Sequence, residues 1–199
     1  MAAHSRYELE RRAVVAALLA QRGDALVVTG LGSPTWDVCA AGDDPRNFYL
    51  WGGMGGAAMI GLGLALAQPE RRVLVVTGDG EMLMGLGSLA TIGAQRAANL
   101  SIVVLDNEHY GETGMQATHT GAGVDLAGIA KASSFMEAGT VKSAAELQTW
   151  IPMLYRSPGP VFAVVKISTG KVPLTLPLRD GTHIKNRFRE ALLGTKAFE

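Results

Sequence analysis

Short runs of apolar residues alternate along the chain with longer segments in which apolar residues recur at helical spacing. Most of these runs are rich in β-branched side chains and end at glycine or aspartate, as at 73–77 (VLVVT) and 100–105 (LSIVVL). Continuous apolar strands of this kind are typical of a parallel sheet whose two faces are both covered by helices. The pattern therefore predicts an α/β fold with three layers, in which helices cover both sides of a mostly parallel sheet.

The predicted elements follow this alternation along the whole chain. Strands are expected at residues 25–29, 47–51, 73–77, 100–105 and 160–167, with a weaker strand that ends at Val141. Helices are expected at residues 5–21, 52–67, 82–98, 125–133, 143–155 and 182–193. We predict one α/β domain over residues 1–170, followed by a C-terminal arm at 171–199 that is extended and broken by proline before a short helix.

Composition changes this picture through the abundance of glycine. Of 199 residues 25 are glycine, yet 48% of the chain is hydrophobic and only 18% is charged. A disordered chain would be poorer in apolar residues and richer in charge, so we expect the glycines in tight turns and where the backbone approaches a ligand closely. Because 18 basic residues balance 18 acidic ones, charge gives no argument for a nucleic-acid or membrane-surface partner.

The single cysteine, Cys39, excludes a disulfide framework, a cysteine-based zinc site and a cysteine-ligated iron–sulfur cluster within this chain. We expect it to be a small buried apolar side chain. The polar N-terminal segment does not resemble a signal peptide. The most apolar stretch, at 54–67, is shorter than the roughly 20 residues that span a bilayer. We therefore expect a cytoplasmic protein.

Two neighbouring predicted strands end in side chains that could hold a metal ion. The strand at 73–77 runs into a Gly-Asp-Gly sequence centred on Asp79, and the next strand ends in Asp106-Asn107. Successive parallel strands bring their carboxyl ends to the same edge of a sheet, where α/β proteins bind ligands. A carboxylate, an amide oxygen and a loop carbonyl are oxygen ligands that suit Mg²⁺. Asp79 could instead be only a helix N-cap, and Asn107 only a turn residue.

The same Gly-Asp-Gly sequence could also bind phosphate. We expect Gly80 and Glu81 to open the following helix, where the first backbone N–H groups have no partner within the helix and can bind an anion. Glycine at this place would let a phosphate come close to the backbone.

A second glycine cluster lies at residues 51–56. It contains the sequence Gly53-x-Gly55-x-x-Ala58, a loose form of the dinucleotide-binding fingerprint, which leaves a nicotinamide-dependent dehydrogenase open as an alternative. The acidic residue that should end a strand about 20 residues further on is not found, since Glu70 falls in a turn. Close packing of a helix would explain these glycines equally well.

A polar, glycine-rich segment at 108–123 follows the predicted metal-binding strand end directly. Long polar segments at the carboxyl end of a strand often carry substrate contacts. We therefore take His119, Gln116 and Thr118 as candidates for substrate contact or proton transfer.

The Gly-Asp-Gly sequence, followed one helix and one strand later by Asp106-Asn107, resembles the metal and diphosphate motif of thiamine-diphosphate enzymes. Asp106 stands where these enzymes usually carry the first of two asparagines. The segment at 51–55 resembles their aminopyrimidine-binding loop. The wider runs GDGEMLMGLGSLATIGAQ, LDNEHYGETGMQATHTG and GVDLAGIAKA, with the tail DGTHIKNRF, resemble the sulfopyruvate and phosphonopyruvate decarboxylases, and in particular the beta-type subunit of the former.

This resemblance implies roles for individual residues. Asp79, the Asn107 side chain and the His109 carbonyl would hold Mg²⁺, and the N–H groups of Gly80 and Glu81 would bind the diphosphate. The Gly52 carbonyl would accept a hydrogen bond from the 4′-amino group of thiamine diphosphate. Met54 would bend the cofactor so that this amino group lies near thiazolium C2, which makes proton removal effectively intramolecular. The other residues expected at the cofactor are Gly53, Gly78, Tyr110 and Gly111.

The resemblance also implies a partner chain. Enzymes of this family activate the aminopyrimidine with a glutamate from a separate pyrimidine-binding domain, and Glu8, Glu10 and Glu70 do not lie in such a motif. We expect an alpha-type, pyrimidine-binding subunit that carries the glutamate, together with self-association into an α2β2 or larger assembly. The helix at 55–67 would be part of the interface.

The expected reaction is decarboxylation of a small anionic 2-oxoacid. Sulfopyruvate, which gives sulfoacetaldehyde and CO₂, is the first candidate substrate, and phosphonopyruvate is the second. Carboligation of the acetolactate type and a catalytically silent module remain alternatives. The tail cations could help to bind the anionic group or could be a solvated helix face; they are Arg179, Lys185, Arg187 and Arg189.

Overall fold

Six parallel strands form the central sheet of the computed structural model, which describes residues 6–198. They are β1 (Leu26–Thr29), β2 (Asn47–Tyr49), β3 (Val73–Gly78), β4 (Leu100–Asp106), β7 (Glu137–Val141) and β8 (Val161–Lys166), while β5 (His109–Tyr110) and β6 (Gln116–Ala117) form a small antiparallel hairpin. The order across the sheet is β2-β1-β3-β4-β8-β7, and all neighbours are parallel. Because β2 and β3 lie on opposite sides of β1, the chain reverses direction across the sheet between β1 and β3.

Helices cover both faces of this sheet. The helices are α1 (Arg11–Leu19), α2 (Ser33–Ala40), α3 (Ala57–Ala67), α4 (Asp79–Met84), α5 (Ser88–Gln95), α6 (Leu126–Ala132), α7 (Ala144–Arg156) and α8 (Gly181–Leu193), with 3₁₀ turns at His119–Ala122 and Gly194–Phe198. Strand residues alternate between two apolar cores, so that Val73 and Val75 pack under α3, α5 and α6, whereas Leu74 and Val76 pack under α1, α2 and α7. The predicted three-layer α/β fold is confirmed.

Several predicted helix boundaries need correction. The helix expected at 5–21 begins at Arg11, because the Glu10 carboxylate caps it by accepting from the backbone of Arg12 and Ala13, and residue 5 lies outside the described residues. The helix expected at 52–67 begins only at Ala57. The single helix expected at 82–98 is two helices, α4 and α5, which are separated where Gly85 packs against the backbone of Gly55.

A buried ionic cluster joins α1 to α2, a helix that the sequence pattern does not predict. Asp37 on α2 is fully buried and lies 3.4 Å from the guanidinium groups of both Arg11 and Arg12. Burial raises the pKa of Asp37, and the two arginines act in the opposite direction. Asp37 and Arg11 are both buried, so water cannot compensate their charges. The charges of α1 and α2 therefore have to compensate each other.

The C-terminal segment packs along β2, which is an edge strand. Phe188 of α8 stacks edge-on against Phe48, with 5.6 Å between ring centroids, and Arg187 pairs with Asp43 and donates to the Asn47 carbonyl. Upstream of α8, the Leu178 carbonyl accepts from the Trp51 indole at 2.9 Å. These contacts bring the segment beside the glycine cluster at 51–56, while the division at residue 170 stays a prediction.

Two further expectations from the sequence concern the burial of Cys39 and the length of the apolar segments. Cys39 is a free, half-buried thiol beside the core under α1, and burial raises its pKa. It is thus less buried than expected. Within residues 6–198, each helix is too short or too polar to cross a bilayer.

Candidate functional site

Four loops meet at the carboxyl edge of the sheet, around the reversal of strand order between β1 and β3. They follow β1 (residues 30–32), β2 (residues 50–56), β3 (residues 78–81) and β4 (residues 107–115). Crevices at such reversals are the usual ligand sites of open α/β sheets. The fold therefore selects this edge as the candidate site without reference to any motif.

Asp79 lies at the centre of this edge and is only 3% exposed. Its carboxylate accepts from the Thr118 hydroxyl at 2.5 Å and from the Thr120 hydroxyl at 3.4 Å. Burial, together with the nearby Asp106 carboxylate, raises the pKa of Asp79 to about 6. Among residues 6–198, Asp79 has no cationic side chain within ion-pair distance. A buried carboxylate without a cationic partner is a suitable ligand for a divalent cation.

Asp106 differs from Asp79 because it already has a cation. Lys166 of β8 lies 2.8 Å from Asp106 and 2.8 Å from Glu108, and the Tyr7 hydroxyl donates to Glu108 at 2.7 Å. Thr120 donates to Asp106 at 2.8 Å and so bridges the two aspartates. The aspartate that stands in place of the family's usual asparagine is therefore paired with Lys166, which it shares with Glu108, whereas Asp79 has no such cation.

Asn107 and His109 lie half-buried in the loop after β4, the strand that neighbours β3. The Asn107 side-chain oxygen accepts from the His109 backbone N–H at 2.9 Å, and the His109 ring contacts the Asn107 carbonyl at 2.8 Å. An amide oxygen and a nearby carbonyl thus accompany one carboxylate. Such a set contains few His, Cys, Asp or Glu side chains, which agrees with the finding that within residues 6–198 no group of three of these types could hold a metal.

Gly80 is buried at the start of α4, where an added Cβ would lie 2.6 Å from the ring of Tyr110. The expectation was that glycine here leaves room for a phosphate. In the structure, a side chain added at residue 80 would point at Tyr110. The aromatic ring therefore fills the space that is free because Gly80 has no side chain. The role of the Gly80 N–H toward a diphosphate stays a prediction.

We expect Gly80→Ala to lower the free energy of unfolding by about 2 kcal/mol, because the new methyl group overpacks against Tyr110. The same substitution should cost clearly less in a Tyr110→Ala background, where the ring is gone. Urea denaturation of the four chains of this double-mutant cycle measures the coupling. An equal cost in both backgrounds would contradict this explanation.

The Glu81 side chain is buried in the middle of the site, with 4% of its surface exposed. It accepts from the backbone N–H of Leu31 at 2.7 Å, from the Thr77 hydroxyl at 3.1 Å and from the backbone N–H of Gly55 at 3.3 Å. Burial raises the pKa of Glu81, and these donors act in the opposite direction. Sequence reasoning assigned only the backbone N–H of Glu81 and missed its side chain.

The glycine cluster at 51–56 presents an exposed surface beside these groups. Gly52, Gly53 and Met54 are exposed, and Met54 keeps 39% of its surface accessible. The cluster follows β2, an edge strand, and reaches the crevice from there, whereas the turn that lies at the reversal of strand order is the one after β1. This position argues against the dinucleotide fingerprint, which occurs at that reversal.

The three candidates for substrate contact differ in their surroundings. His119 is exposed at the start of a 3₁₀ turn, and Gln116 is exposed with its amide bonded to Thr113. Thr118 is only 2% exposed, and its hydroxyl donates to Asp79. In the structure Thr118 is therefore hydrogen-bonded to a carboxylate, and its predicted role in substrate contact or proton transfer stays a prediction.

The loop after β1 is a part of the site that sequence reasoning missed. Helix α2 follows β1 and begins at Ser33 without a side-chain cap, so its start lies at the same edge of the sheet as Asp79; Ser33 and Thr35 have backbone N–H groups there, while Pro34 has none. Glu112 from the hairpin loop approaches this helix start, and the Ser33 hydroxyl donates to it at 3.4 Å. The signal was present as a Gly-Ser-Pro sequence directly after a strand, a typical helix start.

The tail cations are placed outside the centre of the site. Arg187 pairs with Asp43 at 2.6 Å, and the Arg179 guanidinium lies 5.1 Å from the centre of a Trp51 ring. Lys185 and Arg189 are exposed on α8. At least one of the four cations, Arg187, is thus used in packing the C-terminal helix.

Comparisons with known proteins agree with this geometry. Residues 35–165 match the family model described as “Thiamine pyrophosphate enzyme, C-terminal TPP binding domain”, where thiamine pyrophosphate is another name for thiamine diphosphate. Over 186 residues the chain is 39% identical to sulfopyruvate decarboxylase subunit beta of Methanothermobacter thermautotrophicus, which covers 94% of this chain and 97% of that one. Over 167 residues it is 38% identical to phosphonopyruvate decarboxylase of Streptomyces viridochromogenes, which covers 83% of this chain and 42% of that one.

The solved structures show the same fold. Benzoylformate decarboxylase from Polynucleobacter necessarius superimposes with a TM-score of 0.69 at 22% identity, over 87% of this chain and 36% of that one. At this identity the likeness supports the architecture alone. Together with the family match, it leads to one conclusion: the chain belongs to the thiamine pyrophosphate enzymes, as their C-terminal TPP-binding domain, in the branch that includes the sulfopyruvate and phosphonopyruvate decarboxylases.

Proposed function

We propose that this chain is the beta-type subunit of a thiamine-diphosphate-dependent decarboxylase that converts sulfopyruvate to sulfoacetaldehyde and CO₂. The observation that carries the proposal is a buried Asp79 without a cationic partner among the described residues, beside the reversal of strand order, with Asn107 directly after the neighbouring strand β4. The substrate is proposed from the relatives, because the one matched over nearly its full length is named a sulfopyruvate decarboxylase subunit beta. Phosphonopyruvate is the alternative substrate.

The chain's own residues would hold the metal ion and the cofactor. Asp79, the Asn107 side chain and the His109 carbonyl are the proposed Mg²⁺ ligands. Thiamine diphosphate, when bound, supplies the electron sink for decarboxylation. The diphosphate would lie against the backbone N–H groups of the Gly78–Glu81 segment, beside Tyr110 and Gly111, and the open start of α2 adds further N–H donors to this edge.

The aminopyrimidine would be held by the exposed glycine cluster. Here the Gly52 carbonyl would accept a hydrogen bond from the 4′-amino group, Gly53 would leave space, and the Met54 side chain would pack against the cofactor. These residues are exposed in the isolated chain, as a surface that contacts a ligand or a partner would be. Substrate contact or proton transfer is proposed for His119, Gln116 and Thr118, and the Thr118 hydroxyl also donates to Asp79.

The proposal includes an alpha-type subunit that carries the activating glutamate. Glu10 is not available for this task, because its carboxylate caps α1. More than half of the Streptomyces protein lies outside the segment that this chain matches, in agreement with an active site built from two units. Met59 and Leu66 on α3 are exposed apolar side chains that suit an interface. Self-association and a cytoplasmic location stay predictions.

The test is a reconstitution with the alpha-type chain. We expect CO₂ release from sulfopyruvate only when both chains, thiamine diphosphate and Mg²⁺ are present, and slower release from phosphonopyruvate. Product analysis with an added acceptor aldehyde detects carboligation, and a calorimetric titration with NAD tests the dehydrogenase alternative. A stable complex that binds thiamine diphosphate but releases no CO₂ from either 2-oxoacid would contradict the proposed reaction.

A further inference from the structure

We propose that the Glu81 side chain is a positioning residue that holds two separate cofactor-contacting loops against the Gly78–Glu81 segment. This inference rests on the proposed function, since the loops matter only if the site takes thiamine diphosphate. Glu81 would fix the spacing between the part of the site that receives the aminopyrimidine and the part that receives the diphosphate.

The carboxylate reaches one loop with each of its oxygens. Oε2 accepts from the Leu31 N–H at 2.7 Å, in the loop that leads into α2, and from the Thr77 hydroxyl at 3.1 Å. Oε1 accepts from the Gly55 N–H at 3.3 Å, in the glycine cluster. Leu31 and Gly55 follow different strands, and Glu81 bonds directly to both loops.

The surroundings leave room for this carboxylate and provide no positive charge. A Cβ added to Gly30 would overlap Glu81 Oε2 and would lie 2.6 Å from the Thr77 hydroxyl. Among residues 6–198, no lysine, arginine or histidine forms an ion pair with Glu81. Its partners are N–H and O–H donors, so the side chain serves to tie backbone segments together rather than to balance a cation.

A carboxylate suits this position better than an amide would. Both oxygens of Glu81 accept, and each faces at least one donor. In glutamine one of these oxygens becomes an NH₂ group, so a donor would face either the Leu31 N–H or the Gly55 N–H. Glu81→Gln should therefore release one loop while it keeps the size of the side chain.

The release should weaken cofactor binding because the loops would lose their preorganised spacing. In Glu81→Gln, cofactor binding would also have to order a loop that is already ordered in the unmodified chain. This cost lowers the affinity for the cofactor although no direct contact with it is removed. We expect the Kd for thiamine diphosphate at saturating Mg²⁺ to rise about tenfold in Glu81→Gln, with a smaller change in kcat at saturating cofactor.

A matched control exists at the opposite edge of the sheet. The Asn99 side-chain NH₂ group lies within hydrogen-bond distance of the carbonyls of Ala65, Gln68 and Arg71, and so joins the last turn of α3 to the turn that follows it. Asn99→Ala should lower the melting temperature through lost hydrogen bonds but leave the Kd for thiamine diphosphate unchanged. A loss of affinity that follows general destabilisation would appear in both variants.

The experiment compares these variants in the complex of both subunits. Cofactor binding is followed by tryptophan fluorescence, since Trp51 adjoins the glycine cluster, and amide hydrogen exchange of the cofactor-free complex reports on the loops. We expect faster exchange at Leu31 or Gly55 and a raised Kd in Glu81→Gln, and neither change in Asn99→Ala. Gly30→Ala, which displaces the carboxylate without removing it, should weaken binding in the same direction and serves if Glu81→Gln does not fold.

The outcomes separate the inference from the proposed function. If the unmodified complex does not bind thiamine diphosphate, the proposed function fails, and this inference falls with it. If the unmodified complex binds the cofactor, but Glu81→Gln and Gly30→Ala both retain its Kd and the exchange rates of Leu31 and Gly55, then the positioning role is wrong while the proposed function stands.

Discussion

Replacement of Asp79 by alanine is expected to weaken Mg²⁺-dependent binding of thiamine diphosphate at least about 100-fold, equivalent to about 2.8 kcal/mol, and to abolish decarboxylation in the reconstituted complex. Asp79 is buried directly after β3 and has no cationic partner among the described residues, whereas Asp106 is paired with Lys166 and the Glu81 carboxylate is bound by backbone N–H groups. Without it, Asn107 and a carbonyl would provide no negative charge to a dication. Calorimetric titration with Mg²⁺ and cofactor measures the loss.

Two further variants separate charge from folding. Asp79→Asn keeps the size of the side chain and can still accept from Thr118, so it should remain folded but bind Mg²⁺ poorly. Glu146→Gln is the control for replacement of a carboxylate by an amide. Glu146 is exposed in the capping box of α7, a position at which glutamine can make the same hydrogen bond. An Asp79→Ala complex with unchanged activity would refute the assignment of the metal site.

Asp37→Ala should lower the free energy of unfolding by about 3 kcal/mol, because it leaves two arginines beside a buried position without a negative partner. Arg11 is itself buried, so water cannot replace the carboxylate there at low cost. The intact cluster need not add much net stability, since its desolvation cost offsets the ionic attraction; the large effect comes from breaking it. Urea denaturation monitored by circular dichroism measures the difference.

The control for this prediction is Asp24→Ala. Asp24 is exposed in the turn before β1, so its removal should change stability by no more than about 0.5 kcal/mol. If Asp37→Ala cost as little as Asp24→Ala, the ionic cluster would not join α1 to α2 in the way the structure indicates.

The sheet could be predicted from the sequence because its central strands are continuous apolar runs. Val73–Gly78 and Leu100–Asp106 are short, rich in β-branched residues and buried on both faces, which is typical of the central strands of a parallel sheet. Helix α2 could not be found in the same way. Its short segment SPTWDVCA has no apolar stripe, and its buried Asp37 is satisfied by residues of another helix.

In the candidate site, too, some residues could be predicted from the sequence and others could not. The position of Asp79 and Asn107 follows from where two adjacent strands end, which local sequence reveals. The inward orientation of Thr118 and of the Glu81 side chain depends on partners far away in the chain, 39 residues for Thr118 and Asp79, and 50 for Glu81 and Leu31. A hydropathy pattern records that such residues are polar, but not which of them turn into the core.

The C-terminal helix also affects whether the sheets of two molecules can pair through their edge strands. An edge strand such as β2 presents unpaired backbone groups to which a strand of another molecule can add. Here α8 lies along that strand, and Arg187 bonds the Asn47 carbonyl. The helix therefore protects the sheet from edge-to-edge aggregation, and a chain shortened before α8 would lose this protection while the candidate metal ligands remained in place.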